Sequence, residues 1–178
     1  MNHVEARADF SQLDKGWAKL GTSARESLTR TMAVAGGRVF RDEAKLLAPV
    51  GNEGEVATPG LLRDSIYVAY KTGYSTPEKA IYAVTWNHSV APHGHLVEFG
   101  HWQPNKVIPL PNGSFYTSDI PNSQPKWVAA HPFLRPAYDM ACGAAMEAMY
   151  AAGRTRFAEL MRGTASVAAD GAEVASES

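Results

Sequence analysis

Hydrophobic positions fall at two different spacings along the chain, and each change of spacing marks a new element. Between residues 10 and 20 the apolar side chains are three and four apart (Phe10, Leu13, Trp17, Leu20), which lines one side of a short amphipathic helix. A longer helix is predicted from near Ala24. Ser23 and Glu26 have the spacing of a capping box, in which each side chain satisfies a backbone N–H of the first turn. Leu28, Met32, Ala35, Val39, Leu46 and Leu47 give this helix an apolar side, and Pro49 ends it after Ala48, because proline lacks an N–H and restricts the residue before it. Gly36-Gly37 costs about 1 kcal/mol per residue relative to alanine in a helix. Either a neighbour approaches the backbone closely there or the helix breaks.

Beyond a polar, turn-rich loop over residues 50–60 the period becomes two. Ile66, Val68 and Tyr70 alternate with Tyr67 and Ala69, and Ala80 to Asn87 alternates in the same way. Both runs read as strands with one buried face, and the link of residues 73–79 fits an antiparallel hairpin. Residues 101–132 hold six prolines and read as an irregular segment. Within it Asn112-Gly113 is a favoured two-residue turn, flanked by short strands at Val107–Leu110 and Ser114–Thr117. Pro109 and Pro111 keep that hairpin out of a sheet interior, since neither can donate to a ladder. An arm of this kind, carrying Phe115 and Tyr116, either contacts a partner or folds back on its own domain. Pro136 belongs in a first helical turn, so the last helix starts within a residue or two of it. Ala137, Met140, Ala141, Ala144, Ala145, Ala148, Met149 and Ala152 give it a small-residue face. Residues 164–178 are polar, acidic and low in complexity, a disordered signature. The expected organisation is one domain over 1–163, its arm at about 101–131, followed by a tail.

Composition changes this picture little. The chain has 178 residues, 45% of them hydrophobic and 20% charged, with a net charge of −1. That suits a soluble domain without global attraction to nucleic acid or acidic membranes. The single cysteine, Cys142, excludes an intramolecular disulfide framework and a cysteine-based zinc cluster. The first ten residues carry acids and no apolar core, so no secretory signal is expected. Between Lys15 and Leu47 seven basic residues face three acids. That local excess reads as a solvated helix face, or as a surface for nucleic acid.

Candidate chemistry centres on four histidines within fourteen residues, His88, His93, His95 and His101, with Glu98 among them. His93-x-His95 supplies two potential ligands, but there is no H-E-x-x-H and no cysteine pair. No G-x-S-x-G elbow and no phosphate-binding loop occurs, and Cys142 lies in an alanine-rich helix. Tyr67, Tyr70, Lys71 and Tyr74 interleave aromatic and basic character, as in single-strand binding surfaces or simply on an exposed strand face. Gly60 suits a tight turn into the first strand, and Gly100 suits the exit from a short helix in the left-handed conformation. Leu96, Val97 and Phe99 are expected to cover the sheet. Glu98 is expected to face outward or to meet a cation, Arg63 or Arg135, and a pairing with Arg135 requires their charged groups to lie within about 8 Å.

Three blocks stand in order along the chain. The first is A-x-L-L-A-P-V (Ala44 to Val50) with G-L-L-R-D-S-I (Gly60 to Ile66), the second H-L-V-E-F-G (His95 to Gly100), and the third H-P-F-L-R-P-A-Y-D (His131 to Asp139). Over about residues 24 to 160 this order resembles the small tail components of long-tailed bacteriophages, the neck and tail-completion proteins of siphophages. The motif positions are Pro49, Gly60, Leu61, Arg63, Ser65, Glu98, Phe99, Gly100, Pro132, Phe133, Arg135 and Pro136. Pro59-Gly60 stands where the family commonly has T-G, and the segment from His101 to Ala130 is longer than usual. The resemblance implies an α+β fold, with long N- and C-terminal helices packed on a small antiparallel sheet and an extended hairpin arm. It also implies a structural virion protein without catalysis or cofactor, assembled in the host cytoplasm and resident in the tail or neck. Such proteins form a ring, often of six subunits, between the tail tube or terminator and the head–tail connector, with DNA only as the passing genome and no membrane. Asn112, Gly113, Phe115 and Tyr116 are the candidate partner contacts. A tail terminator or head-side connector is the nearest alternative. A metal-dependent hydrolase or nuclease on the His88–His101 cluster, and a DNA-binding accessory protein on the basic helix, are the others.

Overall fold

The first long helix, α1 (Thr22–Leu47), runs unbroken through Gly36-Gly37 in the computed structural model, which describes residues 21–51, 58–110 and 115–162. It is followed by a single turn, α2 (Leu61–Asp64), strand β1 (Ile66–Tyr70), a 3-10 turn (Thr72–Tyr74), β2 (Tyr82–Trp86) and the short helix α3 (Gly94–Phe99). Strands β3 (His101–Pro109) and β4 (Phe115–Val128) lead to the second long helix, α4 (Leu134–Met161). The chain is α+β, with two long helices and two separate two-stranded antiparallel sheets, β1–β2 and β3–β4. The expected helix over 10–20, the Asn112-Gly113 turn and the tail from residue 164 lie outside the described residues.

Local chemistry accounts for the element ends. The carbonyl of Gly21 accepts from the N–H groups of Ala24 and Arg25, so α1 begins two residues before the expected start. Ser23 then falls inside the first turn, and Glu26 pairs with Arg30 at 3.3 Å rather than forming a capping box. Pro49 follows the last turn, where Ala48 N–H still reaches the Ala44 carbonyl. Pro136 sits in the first turn of α4, as its missing N–H requires.

Two compact units divide the chain. One draws on Met1–Asp42, Tyr67–Thr85 and Met140–Ser178. Here α1 and α4 run antiparallel, with a glycine of each helix against a methionine of the other. A Cβ at Gly36 would lie 2.7 Å from Met149, one at Gly37 would lie 2.9 Å from Val68 of β1, and one at Gly153 would meet Met32 at 2.8 Å. Close approach, not a break, explains the glycine pair. Ser27 accepts hydrogen bonds from the Arg156 guanidinium at 2.8 and 3.0 Å. The small-residue face of α4 is narrower than expected: Ala137, Ala141 and Ala145 are buried four apart, whereas Met140 and Ala144 are exposed. Leu46 of α1 is exposed as well, and Ala44 and Ala48 take the buried side in its place. In the β1–β2 sheet, Tyr70 packs on Tyr82 at 5.0 Å and carries the Arg30 guanidinium over its ring at 4.2 Å. The reversal between these strands is a 3-10 turn followed by Thr76 and Lys79, which exchange backbone bonds across Pro77-Glu78.

The other unit comprises Glu43–Ile66 and Trp86–Asp139. Phe133 and Ile66 are its largest fully buried side chains, and Trp86 meets Phe133 edge to face at 6.1 Å. The proline-rich stretch, expected to be irregular with short strands near its tip, is instead a long two-stranded ribbon. Its register runs from His101 opposite Val128 to Pro109 opposite Phe115 and shifts on either side of Asn105. From Gln103 to Asn105 the partner strand moves from Lys126 to Pro121, so extra residues bulge out of β4. Pro104 and Pro125 lie within that break. Proline is tolerated where the ladder is already interrupted. Side chains replace the lost backbone bonds: Asn122 Nδ2 donates to the Gln103 and Asn105 carbonyls, each at 3.0 Å, and the buried Ser118 hydroxyl donates to the Lys106 carbonyl at 3.0 Å.

Candidate functional site

Of the residues singled out by sequence, Glu98 holds the most structured position. Its side chain is 2% exposed, which corrects the expectation that it faces outward. Oε2 accepts from the N–H groups of Phe133 at 2.8 Å and Leu134 at 3.0 Å, and Oε1 from Arg135 N–H at 3.4 Å. These are the orphan donors that open every α-helix. The carboxylate therefore caps α4 from 35 residues away in sequence and sits where the helix macrodipole favours negative charge. The Arg135 guanidinium is 3.9 Å from Oε1, so the expected pairing is present, but its side chain is 64% exposed. The backbone contacts dominate, because a solvent-exposed ion pair contributes little.

Phe99 reverses the expectation too. It is 52% exposed and lies under the Arg135 guanidinium, 5.1 Å from its centre. Within α3 the acid is buried and the aromatic is outside, since the helix is fastened by the cap rather than by an apolar face. Gly100 closes it at φ 72°, ψ 170°, an extended mirror-image conformation open essentially to glycine alone. A Cβ there would lie 2.8 Å from the Val128 carbonyl and 2.9 Å from Ala130 N. The His131 N–H also bonds the Val97 carbonyl at 2.8 Å. Two blocks of the motif, His95 to Gly100 and His131 to Asp139, are thus one structural joint.

The remaining motif positions are structural in character. Gly60, at φ 78°, leads into the single turn α2 rather than directly into a strand. Arg63 pairs with its neighbour Asp64 at 2.9 Å, not with Glu98. That contact holds the Arg63 guanidinium above and the Asp64 carboxyl below their usual ranges. Ser65 donates its hydroxyl to the Leu62 carbonyl, and its own carbonyl accepts from Asn87 N–H. Leu61 is partly buried, while Pro49 and Pro132 are exposed at helix approaches.

The histidines do not converge. The rings of His88 and His95 are 5.8 Å apart, and His101 Nδ1 is buried without a hydrogen-bond partner. Partial burial and the neighbouring His95 both lower the pKa of His93. Among the described residues, no three His, Cys, Asp or Glu side chains are placed to hold a metal ion. The basic face of α1 is partly engaged within the chain: Arg25 approaches Glu78 at 3.9 Å, Arg30 pairs with Glu26 and Tyr70, and Arg41 binds Asp42 at 2.8 Å. No helix among the described residues is long and apolar enough to cross a membrane.

The ribbon carries a group of exposed apolar side chains among the described residues. Trp102 and Trp127 face each other across it at 5.4 Å, edge to face, and are 64% and 49% exposed. Val107, Ile108, Leu110, Tyr116 and Ile120 add further exposed apolar surface. Tyr116 stands among the expected partner contacts, Asn112 and Gly113 lie outside the described residues, and Phe115 is the strand residue opposite Pro109. Sequence reasoning missed the tryptophans. Their near-symmetric placement about Asn112-Gly113 was the available signal, obscured by the bulges that offset the register.

The chain matches the model of the family described as "Bacteriophage HK97-gp10, putative tail-component" over residues 11–100. The match ends on Gly100, the last residue of the H-L-V-E-F-G block. No curated protein and no solved structure matches the chain.

Proposed function

Because the chain belongs to the HK97-gp10-like family of bacteriophage tail components, a structural virion role is its premise, and we propose that it is a tail-completion or neck protein. In this reading it caps the tail tube and joins it to the head–tail connector as a ring of six subunits, the genome passing through without being bound. The chain between residues 1 and 163 acts as one assembly domain. The observation that carries the reading is the β3–β4 ribbon, whose exposed Trp102–Trp127 pair, apolar neighbours and open edges suit a protein partner. A sheet edge offers unpaired N–H and C=O groups to an incoming strand, and aromatics are the commonest anchors of protein interfaces. Asn112, Gly113, Phe115 and Tyr116 are the proposed contacts to the neighbour in the ring or to the adjoining tail protein. A head-to-tail contact of this kind closes into a ring when the rotation per subunit divides the circle.

Imaging tests the proposal. Virions from a phage lacking this protein are expected to yield separate filled heads and tails. Negative-stain images of the purified protein, with or without tail tubes, are expected to show rings. Normal heads joined to normal tails in its absence would refute the reading.

A further inference from the structure

The second long helix has two apolar sides. Ala141 and Ala145 take the buried one, and Gly153 lies against Met32 of α1. On the other side Met140, Tyr150 and Met161 are exposed, with Glu147, Ala151 and Arg154 exposed among them. From Met140 to Gly153 the only charged residue is Glu147. A helix that is apolar all round is normally a buried one, so this outer side is built to be covered.

Its sequence says by what. Met140, Glu147, Arg154 and Met161 recur every seven residues, close to two helical turns, which keeps them on one side. Tyr150 and Ala151 fall at the midpoint of this row. The row is its own complement when a second copy runs antiparallel about a two-fold axis between Tyr150 and Ala151. Met140 then stands opposite Met161, Glu147 opposite Arg154, and the large Tyr150 opposite the small Ala151. The axis makes each contact twice, as in any isologous interface.

Charge selects this alignment. Within one chain Glu147 and Arg154 lie about 10 Å apart along the helix, and neither has an ion partner among the described residues. A parallel pair in register would set Glu147 against Glu147 and Arg154 against Arg154, and like charges facing each other oppose association.

We propose that α4 pairs two copies of this chain, antiparallel across a two-fold axis between Tyr150 and Ala151, with Glu147 and Arg154 bridging the copies. The contact uses none of the ribbon's residues, so it goes beyond the neck reading and stands or falls without it.

Disulfide trapping in the full chain tests this, with Cys142→Ser removing the native thiol. Ala151→Cys lies beside the axis, within reach of its own copy, and is expected to join two chains on mild oxidation. Met140→Cys is expected not to join itself, because the two sites are about 31 Å apart along the paired helices. Chains with Met140→Cys mixed with chains carrying Met161→Cys are expected to join. Adding Glu147→Arg to Ala151→Cys is expected to cut the joined fraction at least about tenfold, and adding Arg154→Glu as well is expected to restore it. The substituted positions 140, 147, 151, 154 and 161 are all exposed, so the variants are expected to fold, and circular dichroism checks this. Ala151→Cys chains that stay single, Met140→Cys chains that join one another, or a charge swap that fails to restore joining would overturn the proposal.

Discussion

Replacing Glu98 isolates the joint on which the motif is built. In Glu98→Ala the Phe133 N–H, on a residue with no exposed surface, loses its acceptor and has no access to water. An unsatisfied buried donor costs about 1–3 kcal/mol, and loss of a second charge-assisted bond, here at Leu134, adds about 1.5 kcal/mol. The Arg135 N–H is near solvent and adds little. The expected destabilisation is about 3–4 kcal/mol, a fall in Tm on the order of 10 °C for a chain of this size. Glu98→Gln keeps the shape and one carbonyl oxygen for the two short bonds, and loses mainly the charge–dipole interaction, about 1 kcal/mol. Arg135→Ala removes an exposed partner at 3.9 Å and is expected to cost under about 0.5 kcal/mol. Urea unfolding followed by circular dichroism ranks the three variants, and hydrogen exchange locates the damage at Phe133 and Leu134. Equal losses for Arg135→Ala and Glu98→Ala would show that the ion pair, not the cap, holds the joint. A Glu98→Ala loss below about 1 kcal/mol would refute the cap itself.

Gly37→Ala is expected to cost about 1–3 kcal/mol by crowding the stiff, β-branched Val68. Gly36→Ala meets the flexible Met149 instead and gains roughly the helix propensity that glycine forgoes, so it is expected to stay within about 1 kcal/mol of the parent in thermal unfolding. His93 is expected to titrate below 6.5 by NMR. Its folded pKa lies below its unfolded value, so its contribution to stability is intact above pH 6.5 and is lost as pH falls through the folded pKa; Tm scans of His93→Asn against the parent over pH 7 to 5 detect the difference. The double variant Trp102→Ser/Trp127→Ser gives up an edge-to-face pair worth about 1 kcal/mol to the ribbon. It is expected to fold, and to fail to restore joined particles when supplied to a phage lacking the protein.

The helices and the β1–β2 hairpin were legible because their signals are local. Period and proline placed α1 and the start of α4 within two residues. The outer pairing of the ribbon, Val107–Pro109 opposite Phe115–Thr117, was legible, but its full length was not, because prolines in a strand normally argue against one. Here Pro104 and Pro125 occupy register breaks closed by Asn122, a long-range arrangement that no window of sequence displays. For Glu98 the pairing with Arg135 was legible and is present, but its burial and its cap on the last helix were not, for a similar reason. A carboxylate in an apolar run belongs on the surface unless unpaired donors meet it, and those donors are backbone groups of a helix 35 residues later. Recurrence of Glu98 and Arg135 in adjacent blocks pointed to the correct neighbours, though to a weaker contact than the one that matters.

The interrupted register of the ribbon also governs who can join it. A regular strand edge repeats every two residues, so an incoming strand can slide along it and pair in several ways, including with other copies during synthesis. The edge of β4 does not repeat: its bond-forming groups stop, bulge and resume around Pro121 and Pro125. Only a partner with the matching interruptions can engage its full length. In the proposed assembly, the same irregularity serves as a key, disfavouring slid pairings between free subunits and favouring one alignment.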